Sequence, residues 1–374
     1  MRVAIVIDSL LGPGGDKKLL NSLLEAYKEA DVYTTMYNKN LLNYIPNLSH
    51  KKVFTSFLNK KIYKKTFSSH YTILSTFAFE NFTFDQYDLV ISMSTGPAKG
   101  IITSTNTKHI SIILTPTRYY WRIDNPANYT KRLKHRQLLR PPLWFINVYS
   151  RIYDYQSAQR SDSVVSISSY IQRIIKKIYG RKSDVVFPPV VLPKVTLYSS
   201  NKIKDKYHLP AHYLVCMSRL YPYKRIDIAI KVCIEKNLSL VIVGDGPDLK
   251  KYLAISRHHP NIRVLGWLQD KDAYSILKQA DTLIFPGIED FGIIIAESIM
   301  LGTPVCAYNN GGATDIVTEN VTGSFFNTYD LEEIYKSLQK CHKMKITVKN
   351  KQQLSEKFSF DKFKNKLQSI VKSL

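Results

Sequence analysis

The chain of 374 residues is 44% hydrophobic and 12% aromatic and carries a formal net charge of +23. That length and apolar content imply two or three domains with packed cores and exclude a disordered chain. Cys216, Cys233, Cys306 and Cys341 have neither metal-ligand spacing nor the density of a disulfide framework, which fits a reducing compartment, and no run reaches the roughly 18 apolar residues of a spanning helix.

In chain order, residues 3–7 read as a buried strand rather than a signal peptide. A helical pattern follows over 16–29 and a second strand over 32–36. Short apolar runs bounded by turn signals predict strands at 87–93, 109–114 and 163–167, a helix over 169–179 and a strand over 184–187. Pro188 and Pro189 open a linker reaching about Asn201, because paired prolines continue neither a central strand nor a helix. The second series has strands at 213–217, 238–243, 262–265, 282–285 and 305–307. Its helices cover 226–236, the stretch from about Asp248, 291–300 and most of the carboxyl end. Such alternation predicts an α/β chain with mainly parallel sheets covered by helices on both faces. Two Rossmann-like, doubly wound domains facing across a cleft are the natural architecture.

Glu289 and Glu297 stand eight residues apart, the first on a strand-to-helix loop and the second inside the helix. Ligands of open α/β sheets bind beside such loops, and a helix starting near Phe291 aims free N–H groups at an anion. A loop carboxylate can hold sugar hydroxyls and a helix carboxylate can hold ribose hydroxyls. The same spacing also suits a loop acid and a solvated helix acid. Upstream, Ser218-Arg219-Leu220 closes a strand and Lys224 precedes a helix, a fork and a point charge suited to a diphosphate, or two solvated surface cations. Gly244-Asp245-Gly246-Pro247 is a turn able to cradle a nucleotide. Gly302-Thr303-Pro304-Val305 and Gly311-Gly312 follow the acids. In the first half, Gly12-Pro13-Gly14-Gly15 after the first strand lets the backbone approach a phosphate or sugar.

In order and spacing these motifs resemble the retaining glycosyltransferases of family 4 (glycosyltransferase group 1), which have the GT-B fold. Residues 87–100, Leu114-Thr115-Pro116-Thr117-Arg118-Tyr119-Tyr120-Trp121, Asp154, Arg160-Ser161-Asp162 and Phe187-Pro188-Pro189-Val190 resemble a narrower set, the bacterial O-antigen and capsule mannosyltransferase-like members. The resemblance implies an acceptor domain over 1–190, a donor domain over 201–357 and a final helix over 358–374 packing back toward the first domain. It implies Arg219, Lys224 and Glu289 as catalytic residues. Donor contacts would come from Gly14, Gly15, Ser218, Gly244, Gly246, Asp290, Phe291, Gly292, Ile293 and Glu297. Thr95, Arg118 and Tyr119 fall on the acceptor side. The implied reaction is front-face transfer of a hexose from a nucleotide-diphosphate sugar, GDP-mannose before a UDP-sugar, with no metal or other cofactor. The acceptor would be a saccharide or lipid-linked saccharide in cell-surface polysaccharide synthesis. Two departures stand out. Relatives carry His where this chain has Leu114 and near Thr95, and they carry Gly-Gly-Ala-Glu where it has Gly14-Gly15-Asp16-Lys17.

Asp270-Lys271-Asp272 has the form of a metal-binding D-x-D, but it opens a helix, where Asp caps free N–H groups. Residues 131–145 mix bases with Leu, Trp and Phe, as does a membrane-surface patch or a helix with one solvated basic face. A cytoplasmic chain, peripheral on the cytoplasmic membrane face, is the corresponding expectation. The charge alone also fits a basic nucleic-acid binder, although no helix-turn-helix, zinc or RNP signature supports specific nucleic-acid recognition. A donor-binding homologue without transfer activity and another GT-B enzyme, an epimerase or phosphorylase, are the remaining alternatives.

Overall fold

The computed structural model describes residues 1–12, 14–60, 72–121, 123 and 140–374, without the side chains of 72, 73, 119 and 140–145. They divide into two units, Met1–Pro189 with Phe360–Leu374, and Val190–Ser359.

In the first unit, β1 (Val3–Ile7), β2 (Asp31–Thr34), β3 (Val53–Thr55), β4 (Leu89–Ser94), β5 (Lys108–Ile113), β6 (Ser163–Ser166) and β7 (Asp184–Val185) form one sheet in the order β3-β2-β1-β4-β5-β6-β7. Every pairing is parallel. β1 and β4 are buried along their whole length, because crossover helices cover both faces of such a sheet and leave no polar side to alternate with. The helix Ser169–Tyr179 shows how the ends are fixed. The Ser168 side chain accepts from the Ile171 N–H, and Gly180 ends the helix in the left-handed region at φ 69°.

The second unit repeats the plan. β8 (Leu214–Met217), β9 (Leu240–Val243), β10 (Ile262–Gly266), β11 (Thr282–Phe285), β12 (Val305–Tyr308) and β13 (Gly323–Phe326) are ordered β10-β9-β8-β11-β12-β13, again all parallel. Its core contains all four cysteines, from two strands and two helices. Burial pushes the Cys216 thiol up to about 12, so it behaves as a packed apolar group. In both sheets the strand order reverses beside the first strand, at β1/β4 and at β8/β11. Loops at the carboxyl ends of those strands are where an open α/β sheet receives ligands.

Several elements differ from the sequence expectations. β3 and β13 were not anticipated. The helix expected from Phe291 begins at Ile293, because Gly292 takes a left-handed φ of 100° at its N-cap. Phe291 instead buries its ring edge-on against Phe358, with centroids 5.3 Å apart. At Asp270 the N-cap is Gln269, without a side-chain cap bond. Asp270 and Asp272 lie in the first turn, where they favour the helix dipole, and Asp272 pairs with Lys206 at 2.6 Å. Among the described residues no helix is long and apolar enough to cross a membrane. The basic run 131–145 lies outside the described residues, apart from the backbone of 140–145 in the helix Arg140–Ser157.

Candidate active site

The second-unit site is built by backbone approach. After β8 the chain runs Ser218-Arg219-Leu220 and reaches the short turn Pro222–Lys224. The turn after β9 packs directly on it. Gly244 has φ 140° and Gly246 φ 157°, and a Cβ on Gly246 would lie 2.6 Å from the Leu220 carbonyl oxygen. A Cβ on Gly287, in the loop after β11, would lie 2.8 Å from Lys224 Cα. Only glycine lets that loop come so close. Gly311 has φ 80°, and its Cβ would lie 2.6 Å from the Glu289 carbonyl oxygen, while the Gly312 N–H donates to that same oxygen at 2.8 Å. Five glycines from three motifs therefore bring the loops after β8, β9, β11 and β12 together.

The result is an ion pair between Lys224 and Glu289 across the β8/β11 switch point. The ammonium is 4% exposed and the carboxylate 24%. Lys224 also lies over the Tyr223 ring at 4.8 Å and the Phe285 ring at 5.8 Å, which adds cation–π attraction in a partly desolvated place. Arg219 is exposed, with a guanidinium nitrogen 3.4 Å from the Tyr223 hydroxyl. Asp290 and Ile293 are half-buried, and Gly292 is buried at the helix N-terminus. Glu297, the residue expected at the ribose, lies within the helix Ile293–Leu301. It is 2% exposed and accepts a hydrogen bond from Tyr274 on the helix Asp270–Gln279. Burial first and Glu297 second push the Tyr274 phenol far up. Trp267, just past β10, was absent from the sequence expectations. It is 65% exposed, and the Gly244 N–H donates to the neighbouring Gly266 carbonyl at 2.8 Å.

In the first unit, Gly14 is the N-cap of the helix Gly15–Ala26. Asp16 and Lys17, standing where relatives carry Ala-Glu, pair with each other, and Lys17 Nζ also donates to the Ser9 carbonyl at 2.9 Å. Thr95 is exposed at the end of β4, and its N–H donates to Asp8 Oδ2 at 2.7 Å. Asp8 Oδ1 accepts from the Ala98 N–H at 2.9 Å. Burial raises the Asp8 carboxyl above its ordinary value against these bonds. Asp8 thus joins the two strands of the β1/β4 switch point, a role the sequence signalled only by an acid directly after the first strand. Leu114 is buried at the end of β5. Arg118 and Tyr119 lie on the short helix Arg118–Trp121, and the Tyr119 side chain is outside the described residues.

Residues 200–358 match the family described as Glycosyl transferases group 1. An uncharacterized glycosyltransferase of Methanocaldococcus jannaschii, MJ1178, is 23% identical over 58% of this chain and 61% of its own length. The mouse alpha-1,3/1,6-mannosyltransferase ALG2 is 24% identical over 57% and 59% respectively. The chain spans about half to three-fifths of the length of the curated relatives it matches first. Among solved structures, Anabaena Alr3699/HepE in complex with UDP superposes with a TM-score of 0.70 at 17% identity, over 100% of both chains. The lipopolysaccharide outer core galactosyltransferase WaaB does so with a TM-score of 0.65 at 17% identity, also over 100% of both chains. The two parallel α/β units have the GT-B fold, and residues 200–358 carry the match to the group 1 glycosyl transferases.

Proposed function

We propose that the chain is a retaining, family 4 type glycosyltransferase that moves a hexose from a nucleoside-diphosphate sugar to a saccharide or lipid-linked acceptor. The observation that carries this reading is the Lys224–Glu289 pair at the β8/β11 switch point. Lys224 is a buried point charge and Arg219 an exposed fork, so together they offset charge growing on a departing diphosphate, an electrostatic contribution usually among the largest in such a reaction. Glu289 accepts hydrogen bonds from donor-sugar hydroxyls. Asp290 and the backbone at Phe291, Gly292 and Ile293 line the same place. Ser218, Gly244 and Gly246 pass close to the nucleotide, and the exposed Trp267 ring offers a face for its base. No metal or other cofactor takes part.

Glu297 contacts ribose only by sharing its carboxylate with Tyr274. The acceptor hydroxyl loses its proton to the leaving phosphate, so no protein base is needed. Buried Leu114 and Asp8-bonded Thr95 fit a site without one. The same two residues favour a second reading, a donor-binding homologue without transfer.

GDP-mannose is the first donor to test, since relatives in Corynebacterium glutamicum and Mycobacterium tuberculosis are named GDP-mannose-dependent mannosyltransferases. UDP-sugars come next, since Anabaena Alr3699/HepE is known in complex with UDP and with UDP-glucose. The basic composition and the run 131–145 suit peripheral contact with an anionic membrane on its cytoplasmic face. Incubating the protein with each radiolabelled sugar nucleotide and a panel of lipid-linked saccharides tests the reading. Transfer supports it, and nucleotide binding without transfer favours the inactive homologue.

A further inference from the structure

The Asp154 carboxylate, on the helix Arg140–Ser157 and 3% exposed, takes four donors. Lys99 Nζ at 2.6 Å and Thr117 Oγ1 at 2.7 Å meet Oδ1. Trp121 Nε1 at 2.7 Å and the Tyr179 hydroxyl at 2.6 Å meet Oδ2. Lys99 is fully buried and donates a second time, to the Gly96 carbonyl at 2.7 Å. These donors come from the turn after β4, the segment after β5 and the end of the helix Ser169–Tyr179. The Thr117 hydroxyl also lies 3.2 Å from the Thr95 carbonyl oxygen. The turn at 95–100 is therefore held by one carboxylate on each side, Asp8 at its N–H groups and Asp154 through Lys99.

Burial alone would raise the Asp154 carboxyl, but the Lys99 ammonium and the other donors outweigh it and hold the group below its ordinary range. A buried ion pair of this kind is weak evidence for stability, since replacing both charges by apolar groups is often neutral or favourable. What a fully satisfied buried network supplies is one fixed geometry. Here it is spent at the carboxyl ends of β4 and β5, beside the exposed Thr95 and half-buried Arg118.

We propose that Asp154 is a positioning residue for the acceptor, setting the shape of the two loops that carry Thr95, Arg118 and Tyr119. This rests on the reading of the first unit as the acceptor side. The test is hydrogen–deuterium exchange and steady-state kinetics on the full chain, comparing wild type with the double variant Lys99→Met/Asp154→Leu, which removes both charges together. Exchange should quicken at 95–101 and 115–121 and stay unchanged at 89–94. The acceptor kcat/KM should fall roughly tenfold to a hundredfold, as for displaced positioning groups, with the donor KM unchanged. Should the double variant not fold, Tyr179→Phe removes a single donor, keeps the ring edge-on to Trp121, and should give the same pattern at smaller size. Unchanged loop exchange, or equal losses toward donor and acceptor, overturns the proposal. A wild type inert toward every donor overturns the transfer reading instead. Loop exchange does not depend on transfer, so the two failures stay distinct.

Discussion

Lys224 and Glu289, 65 positions apart in the chain, form an ion pair at the point where the strand order of the second sheet reverses. One follows β8 and the other β11, so their meeting is a consequence of the doubly wound topology. A cation and a carboxylate are thus set side by side, and in the proposed reaction they serve a diphosphate and the sugar hydroxyls.

Glu289→Gln keeps the shape and removes the charge. Transfer should fall by about 10²–10³ or more, the range for loss of one preorganised electrostatic contact, and Lys224→Met should do the same. Because Lys224 is nearly buried, Glu289→Gln should also cost about 1–3 kcal/mol of stability. Initial rates together with urea unfolding separate the two effects.

Gly287→Ala places a methyl 2.8 Å from Lys224 Cα. The backbone must yield, at about 1–3 kcal/mol for overpacking, and the loop carrying Glu289 moves away from Lys224. A lower Tm accompanied by weakened sugar-nucleotide binding is expected. A fall in Tm with unchanged binding would mean that the loop spacing does not matter for the donor.

His109 gives a pH dependence. It is fully buried, with Nε2 2.8 Å from Ser92 Oγ and no partner for Nδ1 among the described residues. Burial lowers its pKa from 6.5 to about 4. The folded chain therefore keeps it neutral while the unfolded chain takes up a proton below 6.5. Its contribution is intact above pH 6.5 and is lost as the pH falls toward 4, reaching about 3 kcal/mol. Subtracting the stability of His109→Gln from that of wild type at pH 7 and pH 4.5 should reveal this loss.

Trp267 lies beside the glycine turn after β9 and is exposed. Nucleotide should quench intrinsic fluorescence, and Trp267→Ala should abolish most of the signal while weakening nucleotide binding by roughly five- to a hundredfold, the worth of one base–aromatic stack.

Much of the fold was legible because central parallel strands are continuous apolar runs. Val3–Ile7 and Leu240–Val243 could be read as nothing else, whereas β3 is a three-residue edge strand with mixed burial, and β13 opens with Gly323-Ser324, residues of low strand propensity. Gly292 delays the start of the helix Ile293–Leu301 in a way that periodicity does not reveal. Lys224 and Glu289 were individually legible from motif spacing, but their contact was not, since it depends on strand order. The Asp154 network was hidden for the same reason. Its partners lie between 25 and 55 positions away, and no local pattern pairs a buried Lys with a distant Asp.

The most direct measurement is a thermal-shift panel of GDP, UDP and ADP with their mannose, glucose and N-acetylglucosamine forms, run on wild type and on Lys224→Met. The account predicts that one base stabilises the wild type clearly and that Lys224→Met loses most of that shift. No shift with any of them, or an equal shift in the variant, would contradict a donor site built on Lys224 and Glu289.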